Sequence, residues 1–97
     1  MLSMSSKGDL NVAIISGIIK EKGFQKKSKI FSSIFSNNVH IPIFWNKSAK
    51  QRYYQMLGKR VLVYGKFVYF NMYSEKQEKY YRTVGIKVLD MEVVNDF

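Results

Sequence analysis

The feature that most constrains the fold is a single change of hydrophobic period, which occurs at Lys47. On both sides of this point the apolar residues alternate or form short β-branched runs, as strands do. From Lys47 onward Ala49, Tyr53 and Leu57 recur on one helical face, and Gly58 can end the helix in the left-handed conformation. Asn46 or Ser48 can cap its start. The sequence therefore predicts one short helix in a chain of strands.

Five segments have the composition of strands, and Asn37-Asn38 marks a tight turn between the second and third. The predicted strands cover residues 10–20, 30–36, 39–45, 58–73 and 80–94. Five strands with a helix between strands 3 and 4 is the arrangement of the OB-fold, a Greek-key barrel that binds oligonucleotides. We predict an all-β fold with one short helix, a five-stranded OB-fold Greek-key barrel. It forms a single domain over residues 1–97, with a core of about 10–94 and an N-terminal extension of 1–9.

The charge of the chain points to a polyanionic partner. Sixteen Lys and Arg against seven Asp and Glu give a net charge of +9 in 97 residues. Nucleic acid and an anionic membrane both suit this charge. Aromatic residues make up 15% of the chain, and they favour nucleic acid because bases stack on rings. A basic surface that serves only solubility is the alternative.

The residue types for enzymatic chemistry are missing from the sequence. The chain has no cysteine, so we predict no disulfide and no thiolate metal site, and the single histidine, His40, cannot build a familiar zinc site. No nucleophile elbow, P-loop or paired carboxylates are present. We predict a non-enzyme without cofactor or metal. The start of the chain lacks an apolar signal region, which predicts a cytoplasmic protein that does not enter a membrane.

The first predicted strand is apolar on both faces, with Ala13 and Ile15 on one side and Val12 and Ile14 on the other. In a small antiparallel domain, one face of a strand is normally exposed to solvent. A second subunit could cover the extra face, and so could a loop or the helix of the same chain. The pattern leaves the two alternatives open.

The order and spacing of four segments resemble the bacterial single-stranded DNA-binding protein family. These segments are Asn11 with Gly17 six residues later, HIPIFWNKSA (40–49), LGKRVLVYGKF (57–67) and YYRT (80–83), and the resemblance spans about 10–88. Departures exist: Val39 replaces the usual stacking Trp, and Val68 and Phe70 stand where basic residues are common. The chain ends at DMEVVNDF without the family's linker and acidic tip, which suits a truncated chain or a tail-less relative similar to the primosomal replication protein N family.

The resemblance implies an OB-fold protein that binds single-stranded DNA as a homodimer or homotetramer, with the first strand pairing between subunits. It also implies that Trp45 stacks a base at the end of the third strand. The predicted subunit interface consists of Asn11, Val12, Ile14, Ser16 and Ile18.

The fourth strand carries rings and cations on the face opposite the core, which suits stacking of bases and contact with phosphates. Lysines also cluster in the two loops that flank the groove of an OB-fold. The predicted nucleic-acid-binding residues are Trp45, Tyr64, Lys66, Phe70, Tyr73, Lys20, Lys22, Lys26, Lys27, Lys29, Lys47, Lys76, Lys79 and Arg82. The alternative for Tyr64 and Phe70 is that they fill a subunit interface.

We therefore expect binding of single-stranded DNA in replication, recombination or repair, with replication proteins as further partners. Two other functions fit the same sequence. One is an RNA-binding OB module, because stacking and phosphate contacts do not read the 2′-hydroxyl. The other is a protein-interaction module whose aromatic face covers a partner.

Overall fold

A computed structural model describes residues 9–20 and 23–94 of the chain. Six strands and one short helix follow each other in sequence. They are β1 (Ala13–Ile18), β2 (Phe24–Lys26), β3 (Lys29–Ser36), β4 (Val39–Asn46), a 3₁₀ turn (Lys47–Ala49) continuing into α1 (Lys50–Tyr54), β5 (Arg60–Ser74) and β6 (Lys79–Val93). The Asn37-Asn38 turn has positive φ at both residues, as expected for a tight hairpin.

Five of the strands close into a barrel. Antiparallel ladders join β1 to β5, β5 to β6 and β4 to β3, while β4 and β6 run parallel at Ile43 and Phe44. The pairing of Ile18 with Phe35 closes the ring between β1 and β3. This topology confirms the predicted five-stranded OB-fold barrel with its helix between the third and fourth barrel strands. The three-residue β2, which pairs with β3, lies in the basic loop and was not predicted.

The core fills the barrel with inward residues from every barrel strand. Ala13, Ile30, Ile34, Ile43, Val61, Val63, Ile86 and Met91 are buried there. The helix contributes Tyr53, whose ring meets Trp45 edge-on, with 5.8 Å between ring centroids. Gly58 has the predicted left-handed conformation, with φ +80°, and donates its N–H to Ile19 O. It does not end the helix as predicted, because α1 ends at Tyr54 and Gln55 is its C-cap. The predicted cap is wrong, because Asn46 makes no side-chain capping bond and Ser48 lies inside the 3₁₀ turn, so that Ala49 takes the N-cap position of α1.

The β5–β6 hairpin changes direction at Gly65. A Cβ on Gly65 would lie 2.1 Å from Lys87 O, so only glycine allows this close approach. The register shifts at the same place, because Tyr64 pairs with Asp90 and Gly65 with Val88, leaving Leu89 as the extra residue of a bulge. Beyond the bulge the hairpin continues as two long paired strands, residues 66–74 and 79–87, that we call the arm; its base still belongs to the barrel, because Ile86 and Lys87 pair with β4.

The arm explains why the alternation of β5 does not hold along its whole length. Val61, Val63 and Gly65 face the core, but Phe67 and Tyr69, which share their parity, are exposed on the arm. Phe70, of the opposite parity, is buried instead. One face of β5 therefore packs in the barrel core at the start of the strand, and the opposite face is buried at Phe70, farther along the arm.

The first strand leaves one apolar face open. Ala13 and Gly17 are buried, whereas Val12 and Ile14 are 52% and 61% exposed. Among the described residues, neither a loop nor the helix covers this face. The Asn11 amide continues the ladder beyond the strand, since Nδ2 donates to Phe67 O and Oδ1 accepts from Phe67 N–H, both at 2.9 Å.

Candidate nucleic-acid interface

Strand register places an aromatic set on the outer face of β3 and β4. Ile30 opposes Trp45 and Ile34 opposes Ile41, and these pairs point into the barrel. Ser32 and Ile43 form the inward pair between these two. The remaining pairs point outward, because side chains alternate along a strand. The outward pairs are Phe31 with Phe44, Ser33 with Pro42 and Phe35 with His40.

Four phenylalanines form a cluster on this face, which we call the aromatic cluster. Phe24 of β2 stacks on Phe31 at a centroid distance of 5.5 Å. Phe70 reaches over from the arm and contacts Phe44 at 5.1 Å and Phe31 at 6.0 Å. Phe31 also meets Phe44, at 5.6 Å. The cluster is separate from the barrel core and joins the β2–β3 hairpin to the arm.

A basic groove runs between the β2–β3 hairpin and the arm. Its cavity of about 680 Å³ is lined by Phe31, Phe44 and Phe70 with four lysines, namely Lys26, Lys27, Lys29 and Lys87. The Lys29 ammonium lies 4.8 Å from the centroid of the Phe44 ring. No carboxylate is among the described residues that line this groove. The groove thus combines ring surface with uncompensated positive charge.

The groove continues toward the tip of the arm. A cavity of about 320 Å³ lies between Phe24, Lys26 and Phe31 on one side and Tyr73 and Tyr80 on the other. The two tyrosine rings meet at 5.0 Å. On the arm itself the Arg82 guanidinium lies 4.9 Å from the centroid of the Tyr69 ring. Glu75 is the one carboxylate among the described residues that line this cavity.

A tight turn brings the start of the helical segment to the basic end of the groove. Lys27 has φ +57° in the turn between β2 and β3. The N–H of Lys47 donates to Ser28 O at 2.8 Å, which fixes the backbone of Lys47 beside this turn. Lys47 and the lysines of the β2–β3 turn therefore lie in one neighbourhood.

Many of the predicted binding residues come together around the groove. Lys26, Lys27 and Lys29 line it, Tyr73 and Arg82 lie on the arm, and Lys76 and Lys79 lie at the arm's tip. Lys66 pairs with Lys87 at the base of the arm. Lys20 lies at the far end of the β3–β4 face, over Phe35, and Lys22 lies outside the described residues.

Three predicted stacking residues need correction. Trp45 is 1% exposed in the barrel core, so the prediction that it stacks a base is wrong for this structure. Tyr64 pairs with Ile14 and donates its hydroxyl to Glu92 Oε1 at 3.3 Å, so it belongs to the open face of β1 and not to the groove. Phe70 is 5% exposed, because the arm presses its ring onto the aromatic cluster, and it forms the groove floor and not a free platform.

Sequence reasoning missed Phe24, Phe31 and Phe44 and the arm lysine Lys87. Ile43, Phe44 and Trp45 are consecutive and all apolar, so alternation alone could not decide which of them faces outward. A signal was present in β3, where Phe31, Ser33 and Phe35 alternate with Ile30, Ser32 and Ile34. Placing the aromatic set of β3 outward would have placed Phe44 outward as well.

The described part of the chain contains neither a cluster of metal ligands nor a membrane-spanning helix. Residues 9–20 and 23–94 contain no group of three or more metal-ligating side chains close enough to share an ion. The helix found in the same ranges is too short and too polar to cross a membrane.

Two solved structures have the same fold. A mitochondrial single-stranded DNA-binding protein from S. cerevisiae superimposes with a TM-score of 0.63 and 15% identity over 92% of this chain and 98% of its own. A small single-stranded DNA-binding protein from Streptomyces coelicolor gives a TM-score of 0.56 and 9% identity over 86% and 93%. No protein-family model matches the chain, and no curated protein matches it either. At these identities the sequence resemblance is confirmed at the level of the fold.

Proposed function

We propose that this protein binds single-stranded DNA in the basic groove and catalyses no reaction. The observation that carries the proposal is the meeting of the aromatic cluster with Lys26, Lys27, Lys29 and Lys87 in one groove whose described lining holds no carboxylate. An OB-fold binds oligonucleotides with this face and with the two loops that flank it. The structural neighbours named for single-stranded DNA binding support the same ligand.

The mechanism needs no sequence-specific contact. Lysine ammonium groups neutralise phosphates, and bases lie against the rings of Phe24, Phe31 and Tyr69 at the walls of the groove. Each stacked base contributes about 1 to 3 kcal/mol, and every base has a ring face to offer. A duplex hides those faces in its own stack, so the same groove discriminates against it. The protein would protect exposed strands in replication, recombination or repair, in the cytoplasm and beside replication proteins.

We also propose that the protein assembles as a homodimer or homotetramer through β1. Its outer face carries exposed Val12 and Ile14, together with Ser16 and the half-buried Ile18. Apart from the pairing at Ile18, the edge of β1 that faces away from β5 has no strand partner among the described residues. A second copy of β1 would satisfy this edge and cover the apolar side chains. Asn11 would hold β1 in position for this interface, since its side-chain amide is hydrogen-bonded to the backbone of Phe67 in β5.

The direct test is fluorescence anisotropy of three labelled ligands of equal length: oligothymidine, oligouridine and a DNA duplex. We expect the tightest binding for oligothymidine, and a steep loss of affinity as salt is raised, because counterions compete for the phosphates. Equal or tighter binding of oligouridine would favour an RNA-binding module. Failure to bind any of the three would favour a protein-interaction module.

A further inference from the structure

A second aromatic and cationic contact lies at the other end of the β3–β4 outer face. The rings of Phe35 and His40 meet at 4.7 Å between centroids, tilted by 42°. The Lys20 ammonium lies 4.7 Å from the centroid of the same Phe35 ring. His40 is exposed and Phe35 is half-buried, so the Phe35 ring supports the His40 ring at the surface.

This contact borders its own concavity, which shares two lining residues with the next cavity along the face. The cavity measures about 240 Å³ and is lined by Ile18, Lys20, Ser33, Phe35 and His40. Ser33 and His40 also line the cavity of about 260 Å³ beneath Phe70, which reaches the aromatic cluster. No carboxylate is among the described residues that line either cavity. The surface from the groove to β1 is therefore continuous, and its described lining carries no opposing charge.

The distance between the aromatic cluster and this second contact is long enough for more than one nucleotide. Phe31 and Phe35 are four residues apart on β3, a distance of about 13 Å at the usual strand rise. A strand held at the aromatic cluster must extend past Ser33 before it reaches His40. A short oligonucleotide that fills only the groove would leave this end empty.

We propose that Lys20, Phe35 and His40 form a second nucleotide subsite, so that a bound single strand leaves the groove and crosses the β3–β4 face toward β1. The exposed His40 ring stacks a base, Phe35 holds that ring in place, and Lys20 contacts a phosphate. This subsite rests on the proposed function, because it extends the same bound strand. It makes affinity depend on oligonucleotide length beyond what the groove alone requires.

The single histidine of the chain gives a direct probe. In untagged protein labelled with ¹³C-histidine, the ring signals belong to His40 without further assignment. Oligothymidines of about 4 to about 16 nucleotides cover the site sizes of OB-folds. We expect the His40 signals to stay in place with the shortest ligand that binds and to shift with the longest. Signals that stay in place with every bound length would overturn the subsite.

Variants of the exposed side chains test the same point by affinity. K20Q with H40A should leave the shortest bound oligothymidine within about twofold of wild type and weaken the longest at least about fivefold, the low end of one stacking contact. V39A is the matched control, because Val39 is exposed next to His40 but has the opposite parity on β4. An equal loss at every length, or no loss, would contradict the subsite. A changed sedimentation coefficient with unchanged binding would make this surface a subunit contact instead.

The outcome separates the two proposals. If wild type binds no oligothymidine at any length, the proposed function fails and the subsite fails with it. If wild type binds in the groove but the K20Q/H40A variant shows no length-dependent loss, only the subsite fails.

Discussion

The Lys29 ammonium lies 4.8 Å from the centroid of the Phe44 ring at the floor of the groove. Phe44 comes from β4 and Lys29 begins β3, so the barrel register itself brings a cation to a ring. A protein that binds single-stranded DNA uses positive charge for the phosphates and ring surface for the bases. This contact places both in direct proximity. Binding should therefore depend on the charges of the β2–β3 hairpin and on the rings beneath them.

Removing groove charge should weaken binding and flatten its dependence on salt. The variant K27Q/K29Q lacks two of the cations that line the groove. For a single strand, removal of one lysine–phosphate interaction lowers the slope of log affinity against log salt by about 0.7. Oligothymidine titrations at four salt concentrations measure this slope. The control K50Q/K59Q removes the same charge from the helix and the turn after it, and it should keep the wild-type slope; equal slopes for both variants would argue against the groove.

Trp45 should behave as a core residue. Its side chain is 1% exposed and packs edge-on against Tyr53. Trp45→Ala should therefore lower the free energy of unfolding by about 3 to 5 kcal/mol, as for other buried aromatic residues. Urea denaturation measures this. Acrylamide quenching of wild-type fluorescence should be weak, both with and without oligothymidine. Strong quenching that oligothymidine suppresses would show that Trp45 is an accessible stacking residue.

The Asn11 amide should stabilise the junction between β1 and the arm. It makes both hydrogen bonds that a strand partner would offer to Phe67. Asn11→Ala removes them and should cost about 1 to 2 kcal/mol of unfolding free energy. Asn11→Asp should be at least as destabilising, because a carboxylate cannot donate to the Phe67 carbonyl. Denaturation curves that superimpose on wild type for both variants would contradict this role.

The open face of β1 should control assembly. Ile14→Glu places a charge at the centre of the exposed apolar strand and should shift sedimentation toward the monomer. Val84→Glu, a comparable change at an exposed apolar residue of the arm, should leave assembly unchanged. A wild-type protein that sediments as a monomer at tens of micromolar would remove the proposed interface.

Stability should fall in alkali partly through Tyr53. Burial raises the pKa of its hydroxyl above the ordinary value of 10.0, Asp90 adds to this, and the Arg52 guanidinium opposes it. Because the folded state holds this proton more tightly than the unfolded chain, its contribution is complete below about pH 10 and is lost above it. Tyr53→Phe should therefore lose less unfolding free energy than wild type between about pH 9 and about pH 11. Parallel losses in urea titrations would contradict the burial effect.

Much of the fold follows from local pattern. The change of period at Lys47, the left-handed Gly58 and the Asn37-Asn38 turn all predict elements that the structure contains. These signals are local, because each depends on the side chains and dihedral angles of a few neighbouring residues. The barrel order then follows from the number of strands and the position of the helix.

The candidate site was harder to predict, because it depends on which of two adjacent strand residues faces outward and on a β-bulge. Phe44 and Trp45 are adjacent and equally suited to core or groove, and only the pairing of Ile30 with Trp45 decides between them. Beyond the bulge opposite Gly65, Phe70 is buried and Tyr69 is exposed, the reverse of the pattern that β5 follows in the barrel. Such effects arise from contacts between distant segments, so the lysine loops could be read from the sequence while the rings beneath them could not.

Ultraviolet crosslinking of oligothymidine, followed by peptide mass spectrometry, shows where a bound single strand lies on the protein. We expect crosslinks at the rings that border the groove, Phe24, Phe31 and Tyr69, and we expect these crosslinks to disappear at high salt. Crosslinks confined to Tyr64 on the open face of β1, with none at the groove, would contradict this expectation.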